Sequence, residues 1–241
     1  MLRQFNLWLN ETSKPPHREH TCLFFRRCLA CVGFTFPFIL VIGRWIYQGP
    51  GILDSISAYY YSVMNNFFVG VLCAIGSFLI CYRYERKDDI LGDIAGFFAI
   101  GVALFPTAPD VGATQPQMVI GVFHYVFAVG FFVTSATFAL WLFRKTDPTK
   151  DPTPRKRLRN LIYLICGITI VACLVLIFIH RILPDNSWLQ PLHPDFFLEF
   201  IALLAFGISW LVKADWILKD KKMEVSNVEV SKVGVANEQK S

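Results

Sequence analysis

Twenty-one of the 23 lysine and arginine residues fall in alternate gaps between six apolar runs. The runs cover about Cys28–Tyr47, Phe67–Tyr82, Ile90–Phe105, Met118–Phe143, Leu161–Ile182 and Phe196–Ile217. A run of roughly 20 apolar residues, rising about 1.5 Å per residue as a helix, crosses a hydrocarbon core of about 30 Å. The second and third runs are short and need flanking residues to complete a crossing. Composition agrees: 54% of residues are hydrophobic and only 17% charged, where a soluble domain carries about a quarter charged residues.

The cations set an orientation. Arg3, Lys14, Arg18, Arg26 and Arg27 precede the first run, and Arg83, Arg86 and Lys87 follow the second. Seven more lie between Arg144 and Arg159, and six from Lys213 onward. The other gaps hold none, apart from Arg44 and Arg181 at run ends. Short loops rich in Lys and Arg stay cytoplasmic. The expected fold is therefore all-α: a polytopic membrane protein with six transmembrane helices and both termini inside. Residues 1–27 form a cytoplasmic segment, 28–217 the transmembrane domain and 218–241 a disordered cytoplasmic tail. The net charge of +5 belongs to this topology and does not signal nucleic acid. The first run is too long for a signal peptide and no A-x-A site follows it, so no cleaved leader is expected. Met1–Leu9 reads as a short surface helix. Arg144–Asn160, punctuated by Pro148, Pro152 and Pro154, reads as an irregular loop.

Seven cysteines form no disulfide framework, and Cys28-Leu-Ala-Cys31 lacks the βαβ context of a redox motif. Small residues predict helix packing instead. Gly92, Gly96, Ala99 and Ala103 recur at helical spacing in the third run, with Gly70, Ala74 and Ser77 in the second and Gly121, Ala128 and Ser135 in the fourth. Small residues let backbones approach where lipid supplies no hydrophobic drive, so runs two to four are expected to form a tight central bundle.

The remaining polar groups gather at one depth, apart from Asp93 and Asp215 near the cytoplasmic ends of the third and sixth runs. Arg44, Asn65, Asn66, His124, His180, Arg181, His193, Asp195 and Glu199 all fall near the outer ends of their runs. The loop after the first run adds Asp54, Ser55 and Ser57. Ionisable groups in a membrane face a bundle interior or an aqueous cavity and pair with one another. An outward-opening polar pocket is expected, with Arg44, Ser57, Asn66, His124, His180, Arg181 and Glu199 as its ligand-binding residues. Arg44 is expected to pair with Glu199, and His124 to donate to Asn66 or Glu199. Asp195 reads as a helix N-cap, and Tyr59–Tyr61, Trp45 and Trp188 as an interfacial aromatic belt.

Three histidines and a carboxylate at one level (His124, His180, His193 and Glu199) raise a zinc alternative. They lie on separate elements, with no H-E-x-x-H and no Cys–His cluster to pre-form a tetrahedral site. No cofactor is the favoured expectation. No phosphate-binding loop, nucleotide fingerprint or G-x-S-x-G elbow appears.

Ser55–Gly70 (SISAYYYSVMNNFFVG), Asp93–Thr107 (DIAGFFAIGVALFPT), the helix carrying His124 and Glu199–Lys213 (EFIALLAFGISWLVK) resemble a group of bacterial six-helix inner-membrane proteins, with distant kinship to the Frag1/DRAM/Sfk1-like families. The resemblance covers roughly Ile42–Lys213 and implies a membrane-resident lipid or trafficking role. Ceramidases and progestin/adiponectin-type receptors are a second comparison. Those are seven-helix hydrolases with a zinc site, whereas this chain has six runs and lacks paired histidines on the last. Three readings follow. The first is a binder of a lipid headgroup or small amphiphile, or an assistant to a membrane protein partner or homo-oligomer. The second is a membrane-embedded metal-dependent hydrolase, and the third an assembly subunit without ligand. A bacterial inner membrane is the expected location.

Overall fold

The computed structural model describes residues 16–109, 112–146, 151–183 and 190–218. Six long helices account for most of them: α1 (Pro16–Gln48), α2 (Asn65–Cys81), α3 (Arg86–Leu104), α4 (Gln115–Thr137), α5 (Pro154–Ile182) and α6 (Pro194–Lys213). No strand occurs among the described residues. Four helical stretches, within α1, α4 with its extension, α5 and α6, are long and apolar enough to cross a membrane; α2 is apolar but shorter.

The boundaries move for identifiable reasons. α1 begins at Pro16, well before the first apolar run, so part of the segment assigned to a separate N-terminal region is helical and continuous with the first span. The basic gap Arg144–Asn160 is not irregular throughout. α5 starts at Pro154, where the missing N–H of a first-turn proline is no loss, and Thr153 Oγ1 caps it by accepting Lys156 N–H at 3.1 Å. α6 stops at Lys213, short of the expected Ile217, because Asp215 adopts a left-handed backbone at φ 58°. The expected helix at Met1–Leu9, Trp188 and the tail beyond residue 218 lie outside the described residues.

Each helix packs on its sequence neighbours, and α6 returns to α1. The result is a ring of six rather than a central bundle of the second to fourth spans with the others around it. Small residues set the closest crossings. A Cβ added at Gly96 would sit 2.5 Å from the Gly76 carbonyl, and one at Gly92 would sit 2.6 Å from the Leu79 carbonyl. The α3 face is thus the one the sequence marks, but its partner on α2 is Gly76. Gly70 faces open space and Ser77 is exposed. The α1–α6 crossing is as close: a Cβ at Gly207 would lie 2.6 Å from Phe34 Cα.

Inside the ring stand Phe36, Phe68, Ile75, Phe131 and Phe206, all nearly inaccessible. Outside it, large apolar side chains face outward, including Phe97, Val122, Phe178 and Ile182, each more than 60% exposed. An apolar perimeter of this extent fits hydrocarbon, since water-soluble monomers rarely expose contiguous apolar patches beyond a few hundred Å². Aromatic packing closes the cation-rich end. α4 continues into a π-helical turn, Phe138–Leu142, where Phe143 N–H bonds the Phe138 carbonyl at 2.9 Å. That register places the Phe138 and Phe143 rings 5.6 and 5.0 Å from Trp210, and Tyr82 completes the cluster at 5.3 Å.

Candidate functional site

At the other end of the ring the chain between α1 and α2 turns back over the opening. Its core is a 3-10 turn, Ser57–Tyr61. Ser55 starts the turn by accepting Ala58 N–H on Oγ at 3.0 Å, a local bond of the kind that makes serine a turn former. Ile56 and Tyr59 are buried, and the Tyr59 ring lies 6.4 Å from Phe196 on α6. Burial holds the Tyr59 phenol above its ordinary pKa, against the opposing pull of nearby Arg44. The segment is a plug, and two long-range contacts fasten it to α6. Ser57 donates its backbone N–H and its hydroxyl to Glu199 Oε2, at 2.9 and 3.2 Å. Asp54 Oδ1 accepts from His193 Nδ1 at 2.7 Å.

Beneath the plug is a cavity of about 40 Å³ in the centre of the ring, walled by Phe36, Phe68, Phe131 and Leu203 and roofed by Ser57 and Glu199. That volume holds about one or two waters. Above and beside the plug is a larger pocket of about 450 Å³, lined by Arg44, Gln48, Asp54, Tyr61, Ser62 and Pro109. Arg44 enters it with donors to spare. Nη1 donates to the Gly51 carbonyl at 3.0 Å, and Nε is buried without a hydrogen-bond partner. The expected Arg44–Glu199 pair does not form, because Glu199 is occupied by Ser57 and Arg44 by Gly51. Trp45 Nε1 donates to the same Gly51 carbonyl at 2.5 Å.

A second polar set lies on the α4–α5–α6 side. Asp195 is buried and receives two partners: His180 Nδ1 at 2.8 Å and Arg181 Nη2 at 2.7 Å. Asp195 is therefore not the helix cap. His193 occupies that position, with φ 46° and no side-chain cap bond, while Asp195 sits in the first turn of α6, where the helix dipole favours an anion. Arg181 lies over the Tyr125 ring at 5.1 Å. Tyr125 Oη is 3.3 Å from Thr107 Oγ1, and the Thr107 carbonyl accepts from Tyr61 Oη at 2.6 Å. A chain of contacts thus links the plug to the Asp195 pair. His180 also edges an apolar groove of about 350 Å³ between α5 and α6.

His124 is only 1% exposed, but it does not join either set. Its Nδ1 lies 2.7 Å from the Phe105 carbonyl. A carbonyl only accepts, so Nδ1 carries the proton and the ring holds Phe105, the residue that caps the C-terminus of α3, in place. The expected donation to Asn66 or Glu199 is absent for that reason. Asn66 is exposed; its neighbour Asn65 binds inward, Nδ2 donating to the Tyr60 carbonyl. Tyr59 is fully buried and so is no part of an interfacial belt, whereas Tyr61 and Trp45 are half-exposed.

The histidines of the zinc alternative thus engage three different acceptors, Phe105, Asp195 and Asp54. Among the described residues no group of three or more His, Cys, Asp or Glu side chains is placed to hold a metal ion. Seven ligand-binding residues expected from the sequence fall into four places. Arg44 lines the large pocket; Ser57 and Glu199 fasten the plug; His180 and Arg181 share Asp195; His124 and Asn66 stand apart. The pocket residues Asp54, Tyr61 and Ser62 were not among the seven. Their signal was present in the polar, aromatic loop after the first run, but only the backward turn of that loop brings them under Arg44. No protein-family model matches the chain, and no curated protein or solved structure shows significant similarity to it.

Proposed function

We propose that the protein is a six-span integral membrane protein of a bacterial inner membrane. Both termini face the cytoplasm, and the opposite end binds the headgroup of a phospholipid or similar amphiphile. The alternation of cation-rich and cation-free gaps supports the orientation. The shorter helix α2 and the helix α3, which opens on the charged residues Arg86–Asp89, complete the ring by packing backbone to backbone at Gly76 and Gly96. The resemblance of Ser55–Gly70 and Glu199–Lys213 to six-helix inner-membrane proteins points the same way.

The observation that carries the binding reading is the pocket of about 450 Å³ with an under-used guanidinium on its wall. Its volume falls within the range of small-molecule sites, about 300–1,000 Å³. Arginine matches phosphate through paired N–H donors. Asp54, on the same pocket, offers its carboxylate to an amine. A zwitterionic headgroup with one phosphate and one ammonium satisfies both.

The test is native mass spectrometry of the detergent-purified full chain, with Arg44→Gln and Asp54→Asn beside the wild type. The wild type retains a phospholipid, Arg44→Gln loses it, and Asp54→Asn shifts retention from amine-bearing to acidic headgroups. Retention unchanged in both variants sinks the headgroup reading. Membrane-impermeant thiol labelling of single cysteines placed at Gly112 and at Arg155 tests the topology. Labelling of both from the same side of the membrane overturns it.

A further inference from the structure

One turn of chain separates two cavities. Ile56 and Ser57 line the small cavity at the centre of the ring, while Asp54, Ala58, Tyr61 and Ser62 line the large pocket on the other side. The plug that carries this turn begins after Gly49 and Gly51, whose φ of 85° and 138° suit glycine and few other residues. Its far end is tied down by Tyr61, whose hydroxyl donates to the Thr107 carbonyl at 2.6 Å. Its near end is held by side chains that also serve the pocket. Arg44 Nη1 donates to the Gly51 carbonyl at 3.0 Å, and Asp54 Oδ1 accepts from His193 Nδ1 at 2.7 Å. The two charged residues described on the pocket wall therefore also fasten the plug.

A ligand loads these two residues unequally. A guanidinium has five N–H donors. Arg44 can meet a phosphate and still keep Gly51, which Trp45 Nε1 holds as well. Asp54 has a single negative charge to divide. An ammonium seated beside an Arg44-bound phosphate carries a full charge and three donors, and it competes with the imidazole for that carboxylate. His193 is poorly placed to resist. It holds a left-handed backbone at φ 46° with no side-chain cap bond, a conformation that crowds Cβ against the following carbonyl. Its pair with Asp54 is open to water, the two side chains being 31% and 67% exposed.

We propose that Asp54 is a switch, an inference that rests on the headgroup reading above: an amine-bearing headgroup in the Arg44 pocket takes Asp54 from His193 and loosens the plug over the central cavity. The Ser57–Glu199 bonds then hold the plug against α6 without the help of Asp54. Coupling of this kind is reciprocal, so loss of the His193 fastening tightens amine binding by the factor with which the amine loosens the plug.

The experiment adds phosphatidylethanolamine or phosphatidylglycerol to the detergent-purified, lipid-stripped full chain, as wild type and as His193→Gly. Native mass spectrometry reads the lipid bound, and hydrogen exchange reads peptides across residues 54–58. Glycine takes the φ 46° backbone without strain, so the variant loses the imidazole and keeps the start of α6. Phosphatidylethanolamine raises exchange in the wild type about two- to fivefold, the range for one exposed ion pair. Phosphatidylglycerol, which has the phosphate but no amine, leaves exchange unchanged. Without lipid, His193→Gly exchanges faster than wild type by the same factor, and phosphatidylethanolamine adds nothing further. The variant also binds phosphatidylethanolamine about two- to fivefold more tightly, a gain that a misfolded chain cannot produce. Bound phosphatidylethanolamine with unchanged exchange overturns the switch and leaves the headgroup reading standing. So does equal acceleration by this lipid in wild type and His193→Gly, an affinity in the variant no greater than wild type, or binding of phosphatidylglycerol alone. Binding of neither lipid overturns the headgroup reading and the switch with it.

Discussion

Removing the Glu199 carboxylate is the sharpest perturbation of the plug. Oε2 accepts two bonds from one residue, the Ser57 amide at 2.9 Å and its hydroxyl at 3.2 Å. Hydrogen bonds to a charged group contribute about 1.5–3 kcal/mol, and neutral ones about 0.5–1.5 kcal/mol. The two donors share one oxygen, so their contributions overlap, and Glu199→Ala is expected to destabilise the closed plug by about 2–4 kcal/mol. Ser57→Ala deletes only the longer bond and leaves the backbone amide seated, so its effect is about 0.5–1.5 kcal/mol. At tenfold per 1.4 kcal/mol, the Glu199 variant opens the segment roughly 30-fold to several-hundred-fold more often. Hydrogen exchange by mass spectrometry on peptides spanning Ile56–Ser62 reads that opening directly. Protection within threefold of wild type in Glu199→Ala refutes the latch. Equal effects of Glu199→Ala and Ser57→Ala refute the dominance of the backbone bond.

Four further substitutions follow from the packing. Gly96→Ala places a methyl against the Gly76 carbonyl and is expected to lower the melting temperature in detergent, by the equivalent of about 1–3 kcal/mol. Gly70→Ala meets open space and is expected to be neutral, or stabilising by up to about 1 kcal/mol through helix propensity; equal melting temperatures would place the α2–α3 contact elsewhere. His124→Ala strips the Phe105 carbonyl of its donor and leaves a void, a loss of about 2–4 kcal/mol by thermal unfolding, with retained lipid unchanged because His124 does not line the Arg44 pocket. Asp195→Asn leaves Arg181 without its ion pair. Since the Arg181 side chain is 46% exposed, the loss is expected at about 1–2 kcal/mol, below the range for a fully buried pair, and a larger fall in melting temperature would show that Arg181 is more deeply confined.

Much of the architecture was legible because hydropathy and charge act locally. The six apolar runs recur as six helices, and four of these stretches meet the length and apolarity of a membrane crossing. Helix ends were less legible. Thr153–Pro154 starts a helix inside a stretch whose prolines and cations suggest a loop, and one left-handed residue, Asp215, ends another inside an apolar stretch. The contents of the outer end were half legible. Distance from a helix end put Glu199, His180, Arg181 and Asp195 at one expected level, and the structure brings Glu199 to Ser57 and both His180 and Arg181 to Asp195.

What the sequence determined by itself is therefore one-dimensional: which segments are apolar enough to become helices, and at what height each polar residue sits. Azimuth was left to the tertiary structure, because the direction a side chain faces depends on which neighbour its helix meets. The ring closure of α6 on α1 pairs Gly207 with Phe34, and the backward turn of residues 49–64 carries Ser57 to Glu199 across 142 positions of chain. Arg44 was at the right height to meet Glu199, yet the plug came between them and gave each a different partner. Arg26, Tyr84 and Lys213 stand far apart in the chain, and only the closed ring makes them one cluster.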